Sequence, residues 1–578
     1  MKRFIILWCV FTACTSPSTN SKDLTTVFEA SDGTATATYD EIIAYYNTLA
    51  KEFPTISIER GGETDSGYPL HLVTFNPKQT GTNFKNLGED NSIILINNGI
   101  HPGESDGIDA TMMLFRDLAN GQLETPENTI VVTIPVYNIG GCLNRNSTTR
   151  TNQNGPESYG FRGNARNYDL NRDFIKTDTK NALSFSKLFH RIQPDIFIDT
   201  HVSNGADYQY TLTHLFTQHN KLGGPLGTFL HKDFMPELEG ELQDNNWDIT
   251  PYVNVFNRTP EQGFSQFFDS PRYSTGYTTL FNTLGFMIET HMLKPYKQRV
   301  EGTYAILKNT INLADLHERK LTSLKAKQEK YWLNKTYYPL HWELDTTKHS
   351  QLQFKGYKGQ MIESQITGAK RLKYDKTQPF VKDIPYKNYF KATDSIKIPK
   401  AYIIPQEWHG IIERLEANNI QVSTLENDTT LTVETYRITD YKTRRNPYEG
   451  HYLHYNTQLE ARQEDIQFKK GDYLILTHQP SLRYIIETLE PQATDSFFNW
   501  NFFDTILQQK EGFSPYVWED KAQLLLRTNP KLQIAFNMKK SLNKDFADNW
   551  YAQLEWLHKQ SPYYEKAHMT YPVYRVNP

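Results

Sequence analysis

The chain has 578 residues, more than one hydrophobic core usually organises, so two domains are expected. Its 62 Lys and Arg against 66 Asp and Glu give a net charge of −4, which excludes the broad basic field that gathers a nucleic-acid backbone. An aromatic content of 13% argues against a disordered chain.

Met1-Lys2-Arg3 and the apolar run Phe4 to Ala13 have the charged start and short hydrophobic stretch of a secretory signal. About ten apolar residues are too few to span a bilayer. The run closes on Phe11-Thr12-Ala13-Cys14, which resembles a bacterial lipobox. Residues 1–14 are therefore expected to be a signal with a lipidated Cys14, and the small polar residues 15–24 a tether. Beyond the signal only Cys14 and Cys142 remain of the three cysteines, which offers no disulfide framework.

Folding proper begins with Thr38-Tyr39-Asp40-Glu41, a capping-box spacing, followed by Ile42, Ile43, Tyr46 and Leu49 on one helical face until Pro54. Apolar runs then alternate with helical patterns: strand 93–96, helix 107–119, strand 130–134, helix 179–192, strand 196–198. A further run at 285–288 precedes a long charged helix over about 297–332. This alternation predicts an α/β fold with a largely parallel, buried sheet covered by helices. A boundary is expected near 335, separating a first α/β domain (25–335) from a second, α+β C-terminal domain (336–578). In the latter, 401–404, a helix near 408–418, Ile420-Gln421-Val422 and a strand at 473–476 suggest a small β-α-β element.

In open α/β sheets ligands gather beyond the carboxyl ends of the strands, and three strand ends carry the relevant chemistry. The first runs into His101-Pro102-Gly103-Glu104, the third into Asp199-Thr200-His201, and the late strand into Glu289. Two imidazoles and a carboxylate make up the three protein ligands of a catalytic zinc, with one position left for water. Glu289 is then a second carboxylate, free to take a proton.

These residues, with Asp169-Leu170-Asn171-Arg172, Asp195 to His201 and Phe286-Met287-Ile288-Glu289-Thr290 in the same order, resemble the M14-type zinc carboxypeptidases over about residues 24–330. The resemblance implies a mixed eight-stranded sheet between helices and one zinc held by His101, Glu104 and His201. It also implies Glu289 as general base and Arg162 facing the oxyanion, with Arg145, Arg150 and Arg166 as rivals. Asn171 and Arg172 would bind the terminal carboxylate, and Tyr277, preferred over Tyr273, would close over substrate. The implied substrate is a peptide with a free C-terminal carboxylate, and the only membrane association is through the lipid anchor. Two alternatives are a zinc amidase acting on cell-wall peptides and a non-catalytic surface binding lipoprotein. Gly103 stands where the digestive members carry Arg, and Asn138-Ile139-Gly140-Gly141 departs from the usual Asn-Pro-Asp-Gly, so substrate contacts differ there.

Overall fold

A computed structural model describes residues 24–79, 81 and 83–578. The expected signal with Cys14, and the tether apart from its last residue, lie outside the described residues. Among the described residues no helix is long and apolar enough to cross a membrane.

The first long helix, Tyr39–Glu52, starts where its capping box predicts: Thr38 accepts from the Glu41 backbone N–H, and Glu41 reaches back to the Thr38 N–H at 2.8 Å. Ile42, Tyr46 and Leu49 are buried beneath it.

The central sheet draws on β1 (Ile56–Glu63), β2 (Pro69–Phe75), β3 (Ser92–Asn97), β4 (Thr129–Ile134), β5 (Ile196–Ser203), β6 (Leu212–Phe216) and β7 (Ile249–Pro251). The two-residue β8 (Phe264–Ser265) pairs elsewhere, and β9 (Leu284–His291) completes eight strands in the order β1-β2-β4-β3-β5-β9-β6-β7. Neighbours among β4, β3, β5 and β9 run parallel, whereas β1-β2, β2-β4 and β6-β9 are antiparallel. The sheet is therefore mixed, and its parallel centre coincides with the apolar runs. Every residue of β3 and of β4 is buried, as expected for strands covered on both faces.

The order of connections fixes where a ligand can sit. β3 passes through helix Asp106–Ala119 to β4 on one side; β4 returns through helix Lys180–Ile192 to β5 on the other side of β3. The two crossovers diverge at the carboxyl ends of β3 and β5 and open a crevice there.

Outside the central sheet, apart from a short parallel pairing, the remaining strand pairs are antiparallel. β10 (Tyr337–Leu344) pairs with a later strand across the long hairpin of β11 (Ser350–Glu363) and β12 (Lys370–Lys387), whose base adds to β8; that later strand is β13 (Phe390–Lys397). A six-stranded sheet follows, made of β14 (Ala401–Ile404), β15 (Ser423–Thr424), β16 (Thr429–Thr443), β17 (His454–Phe468), β18 (Tyr473–Leu476) and β19 (Thr570–Val576). Its order is β15-β18-β14-β19-β16-β17. The expected strand at 420–422 is instead the end of helix His409–Ala417. Asn419 is left-handed (φ 57°), its N–H bonds the Glu416 carbonyl, and the Ile420 N–H bonds back to the Leu415 carbonyl. Buried Ile420 is thus the apolar plug of a Schellman stop.

One apolar cluster runs across both halves. Phe174, Phe185, Phe189 and Tyr277, beneath one face of the central sheet, pack with Tyr402, Ile412, Tyr484 and Phe497 of the C-terminal half. The six-stranded sheet and its helices therefore cover a face of the central sheet.

Candidate active site

His101 and Glu104 lie on the loop leaving β3, where the Glu104 N–H closes a tight turn onto the His101 carbonyl at 2.7 Å. His201 is set inside β5, one strand away, and its register partner on β9 is Glu289. Registered residues on parallel neighbours share a face, so the crevice gathers all four side chains.

The Glu104 carboxylate stands between the imidazoles: Oε1 is 3.3 Å from His101 Nδ1 and Oε2 is 3.2 Å from His201 Nδ1. The far nitrogens meet other carboxylates, His101 Nε2 with Asp169 Oδ1 at 2.9 Å and His201 Nε2 with Asp199 Oδ2 at 3.0 Å. Each ring thereby turns Nδ1 inward while a carboxylate fixes the opposite edge, the outer arrangement that metal-binding histidines use. His101 Nδ1, His201 Nε2 and Asp199 Oδ2 are buried without a hydrogen-bond partner, so Asp199 lies against His201 at ion-pair distance and not in a hydrogen bond. One ligand atom from each of His101, Glu104 and His201 lies within 4.8 Å of the other two. Two imidazole nitrogens and one carboxylate, converging and buried, fit a zinc ion.

The charges follow from this crowding. Burial works to raise Glu104, but Arg150 and His101 hold its carboxyl well below the usual range. Burial likewise opposes charge on His201, yet Asp199 and Glu104 raise it well above an ordinary histidine. A metal must therefore displace a proton there, which couples its affinity to pH. Burial, opposed by His201 but reinforced by Glu104 and Asp199, lifts Glu289 to about 8. A dication beside it pulls the other way.

A cavity of about 340 Å³ opens over the cluster, lined also by Arg162, Asn171, Arg172, Tyr252, Asp269 and Tyr273. Arg162 bonds Asp169 through Nε at 2.9 Å and comes to 3.7 Å from Glu104. Asn171 and Arg172 sit on the short turn Leu170–Arg172, which the Asp169 side chain caps. The other arginines differ: Arg145 spends its donors on the carbonyls of Thr36, Ala37 and Ser158, and exposed Arg166 faces Asp65. Arg150 reaches Glu104 Oε1 at 3.0 Å. It can do so because residue 103 is glycine, where a Cβ would stand 2.6 Å from Arg150 Cδ. The departure at Gly103 thus makes room for an arginine from elsewhere in the chain.

Tyr277 is a correction. It is fully buried in the aromatic cluster with Phe189 and Tyr484, and its hydroxyl bonds Asn418 at 2.6 Å, so it cannot reach the cavity. Tyr273, one turn earlier, faces the cavity with the Arg172 guanidinium 4.5 Å over its ring. Sequence reasoning passed over Asp269, Tyr252 and the ring-orienting Asp199. Only Asp199, two residues before His201 on one strand face, carried a signal.

The zinc carboxypeptidase (M14) family model matches residues 42–195, which include His101, Glu104, Arg162, Asn171 and Arg172 but stop short of His201 and Glu289. Carboxypeptidase 2 of Trichophyton rubrum is 21% identical over 508 residues, covering 84% of this chain and 86% of its own. That of Trichophyton equinum is also 21% identical, over 505 residues. Among solved structures, a metallo-carboxypeptidase from Burkholderia cenocepacia aligns at 16% identity and a TM-score of 0.36, covering 48% of this chain and 69% of its own. Carboxypeptidase A from Helicoverpa armigera aligns at 14% and 0.37, covering 48% and 74%. The matched segment carries two of the three converging residues and the adjoining strand the third, so over this region the chain is similar to the zinc carboxypeptidases of the M14 family.

Proposed function

We propose that the protein removes residues one at a time from peptide carboxyl termini, with Glu289 as general base. The observation that carries this reading is the register of β5 and β9, which sets Glu289 beside His201 without making it one of the three convergent ligands. His101, Glu104 and His201 would hold the zinc ion, which would supply the Lewis acidity that polarises a carbonyl and acidifies water. Glu289 then takes a proton from the attacking water and returns it to the leaving amine. Arg162, on the cavity wall beside Glu104, faces the developing oxyanion. Arg172, whose planar fork suits a carboxylate, and Asn171 grip the substrate's C-terminus.

Digestion of a peptide library with and without chelator, read by mass spectrometry, tests the reaction: ladders shortened from the carboxyl end should appear only without chelator. Glu289→Gln keeps shape and hydrogen bonding but removes the base. It should retain stoichiometric zinc and lose about 100- to 10,000-fold in kcat. Near-normal turnover, or loss of zinc, would remove Glu289 from this role.

We further propose division into a catalytic region (25–335) and a C-terminal region (336–578), and export with a lipid on Cys14. Residues 1–14 alone motivate the anchor. Cys14→Ser should move the protein from the membrane to the soluble fraction, and unchanged fractionation speaks against the lipid.

A further inference from the structure

The tip of the β16–β17 hairpin reaches the catalytic region. Tyr448 and His451 close a two-residue turn, with Tyr448 N–H to His451 carbonyl at 2.7 Å and the reverse bond at 3.1 Å. Both central residues are left-handed, Glu449 at φ 50° and Gly450 at φ 79°. Glycine is needed at the second, where a Cβ would stand 2.6 Å from the Tyr168 hydroxyl. Glutamate at the first is unexpected, since Asn, Asp or Gly serve such turns and a left-handed residue with a long side chain costs about 1–2 kcal/mol. Such strain persists where surrounding contacts over-determine it, and it concentrates at functional sites.

The contact that holds Glu449 lies 280 residues away: its Oε2 accepts the Asp169 backbone N–H at 2.8 Å. Asp169 in turn orients His101, bonds Arg162 and caps the turn that presents Asn171 and Arg172. The Arg172 guanidinium meets the Tyr273 ring at 4.5 Å, the Asn171 carbonyl at 2.8 Å and Asp169 Oδ2 at 3.9 Å, and the neighbouring Tyr448 phenol favours its charge. Tyr448 also lies under Arg272, itself anchored to Asp495 at 2.7 Å and over Trp500. Both residues of the turn that face the catalytic region therefore touch the frame of the cavity wall.

We propose that the Tyr448–His451 turn is the fixed rim of the substrate-carboxylate pocket, with Tyr448 and Glu449 as positioning residues for Arg172 and Asp169. The inference rests on the reading of Arg172 as the carboxylate anchor. An arginine side chain gives up considerable rotamer freedom when it binds a ligand, and fixing it beforehand lowers that cost. The C-terminal half is then part of the catalytic unit and contributes chiefly to substrate affinity.

The test uses the full zinc-loaded chain with matched peptides ending in a free acid or an amide. Glu449→Ala, Glu449→Gln and Tyr448→Phe are compared with Arg172→Ala, and binding of the released product amino acid is followed by calorimetry. Glu449→Ala should raise KM for free acids by about 2- to 12-fold, the worth of one hydrogen bond, and Tyr448→Phe should raise it in the same direction. Product binding should weaken in parallel, and amides should lose less than free acids. Glu449→Gln keeps an oxygen for the Asp169 N–H and should restore most of the loss. Tyr448→Phe keeps the ring packing, so it decides the matter even where Glu449→Ala unfolds. If Arg172→Ala discriminates acid from amide while the turn variants leave KM unchanged, or slow both substrates alike, the inference is overturned and the Arg172 reading stands. If Arg172→Ala itself affects both alike, both fall.

Discussion

The central sheet and the C-terminal sheet place opposite demands on their residues. β3 and β4 are buried along their whole length between helices, so their sequences are near-continuous apolar runs. β16 and β17, 15 residues each, keep most side chains at or near the surface and bury only a few, such as Val433, Tyr436 and Ile438. A strand buried on both faces announces itself; a long polar ribbon is specified by cross-strand pairing that one sequence does not display. The difference is also one of function. The crevice at β3, β5 and β9 supplies the chemistry, while the ribbon meets it only at its tip.

That division is sharpest at the two histidines. His201 is oriented by Asp199, two residues away in β5 and wholly within the central sheet. His101 is oriented by Asp169, whose own backbone is held by Glu449 of the ribbon. Replacing the carboxylate behind a ligating imidazole typically costs about 10- to 100-fold in metal affinity, so Asp199→Ala and Asp169→Ala should both weaken zinc binding by that much in chelator competition. Only Asp169→Ala should in addition raise KM for free-acid peptides, because it also uncaps the turn bearing Asn171 and Arg172. Equal kinetic effects from the two would dissolve the distinction. An unchanged zinc affinity in Asp169→Ala would mean that the ribbon has no path to the metal ligand.

How much of this was legible from sequence follows the same physical line. His101, Glu104, His201 and Glu289 stand at the ends of apolar strands, and strand ends at a topological switch point are where ligands gather. Asn171 and Arg172 came through the resemblance. Tyr277 was misplaced because its segment, Pro271 to Tyr277, holds one tyrosine at the N-cap of a short helix and one within it, and only tertiary packing decides which one the aromatic core takes. Ile420 read as a strand because β-branched apolar residues also plug helix ends. Tyr448 and Glu449 were beyond reach, since their contacts span some 280 residues and the turn around them has no motif of its own.

The smallest effect expected concerns the charge that fastens the halves together beside that turn. Asp178 Oδ2 lies 2.6 Å from His451 Nε2 and 2.7 Å from Lys176 Nζ, while its Oδ1 is 3.3 Å from the Arg414 guanidinium. Lys176 is also paired with buried Asp173 at 2.8 Å. Burial works to raise the Asp178 carboxyl, but the bond from His451 and the charge of Lys176 hold it below the ordinary aspartate range. A carboxyl lowered on folding contributes stability that is fully present above its unfolded value, about 3.9, and is lost as pH falls through the folded value. The halves should therefore loosen below about pH 4, with no change attributable to this group between pH 5 and 8. Asp178→Asn removes the titrating charge but keeps one oxygen for His451 or Lys176. Its melting temperature at pH 7 should fall by roughly 2–4 °C, and the further fall on going to pH 3 should be smaller than in the unaltered chain. Parallel acid profiles for the two proteins would show that the contact between ribbon and catalytic region depends on packing through Tyr168, Trp500 and Gly450, and not on this buried charge.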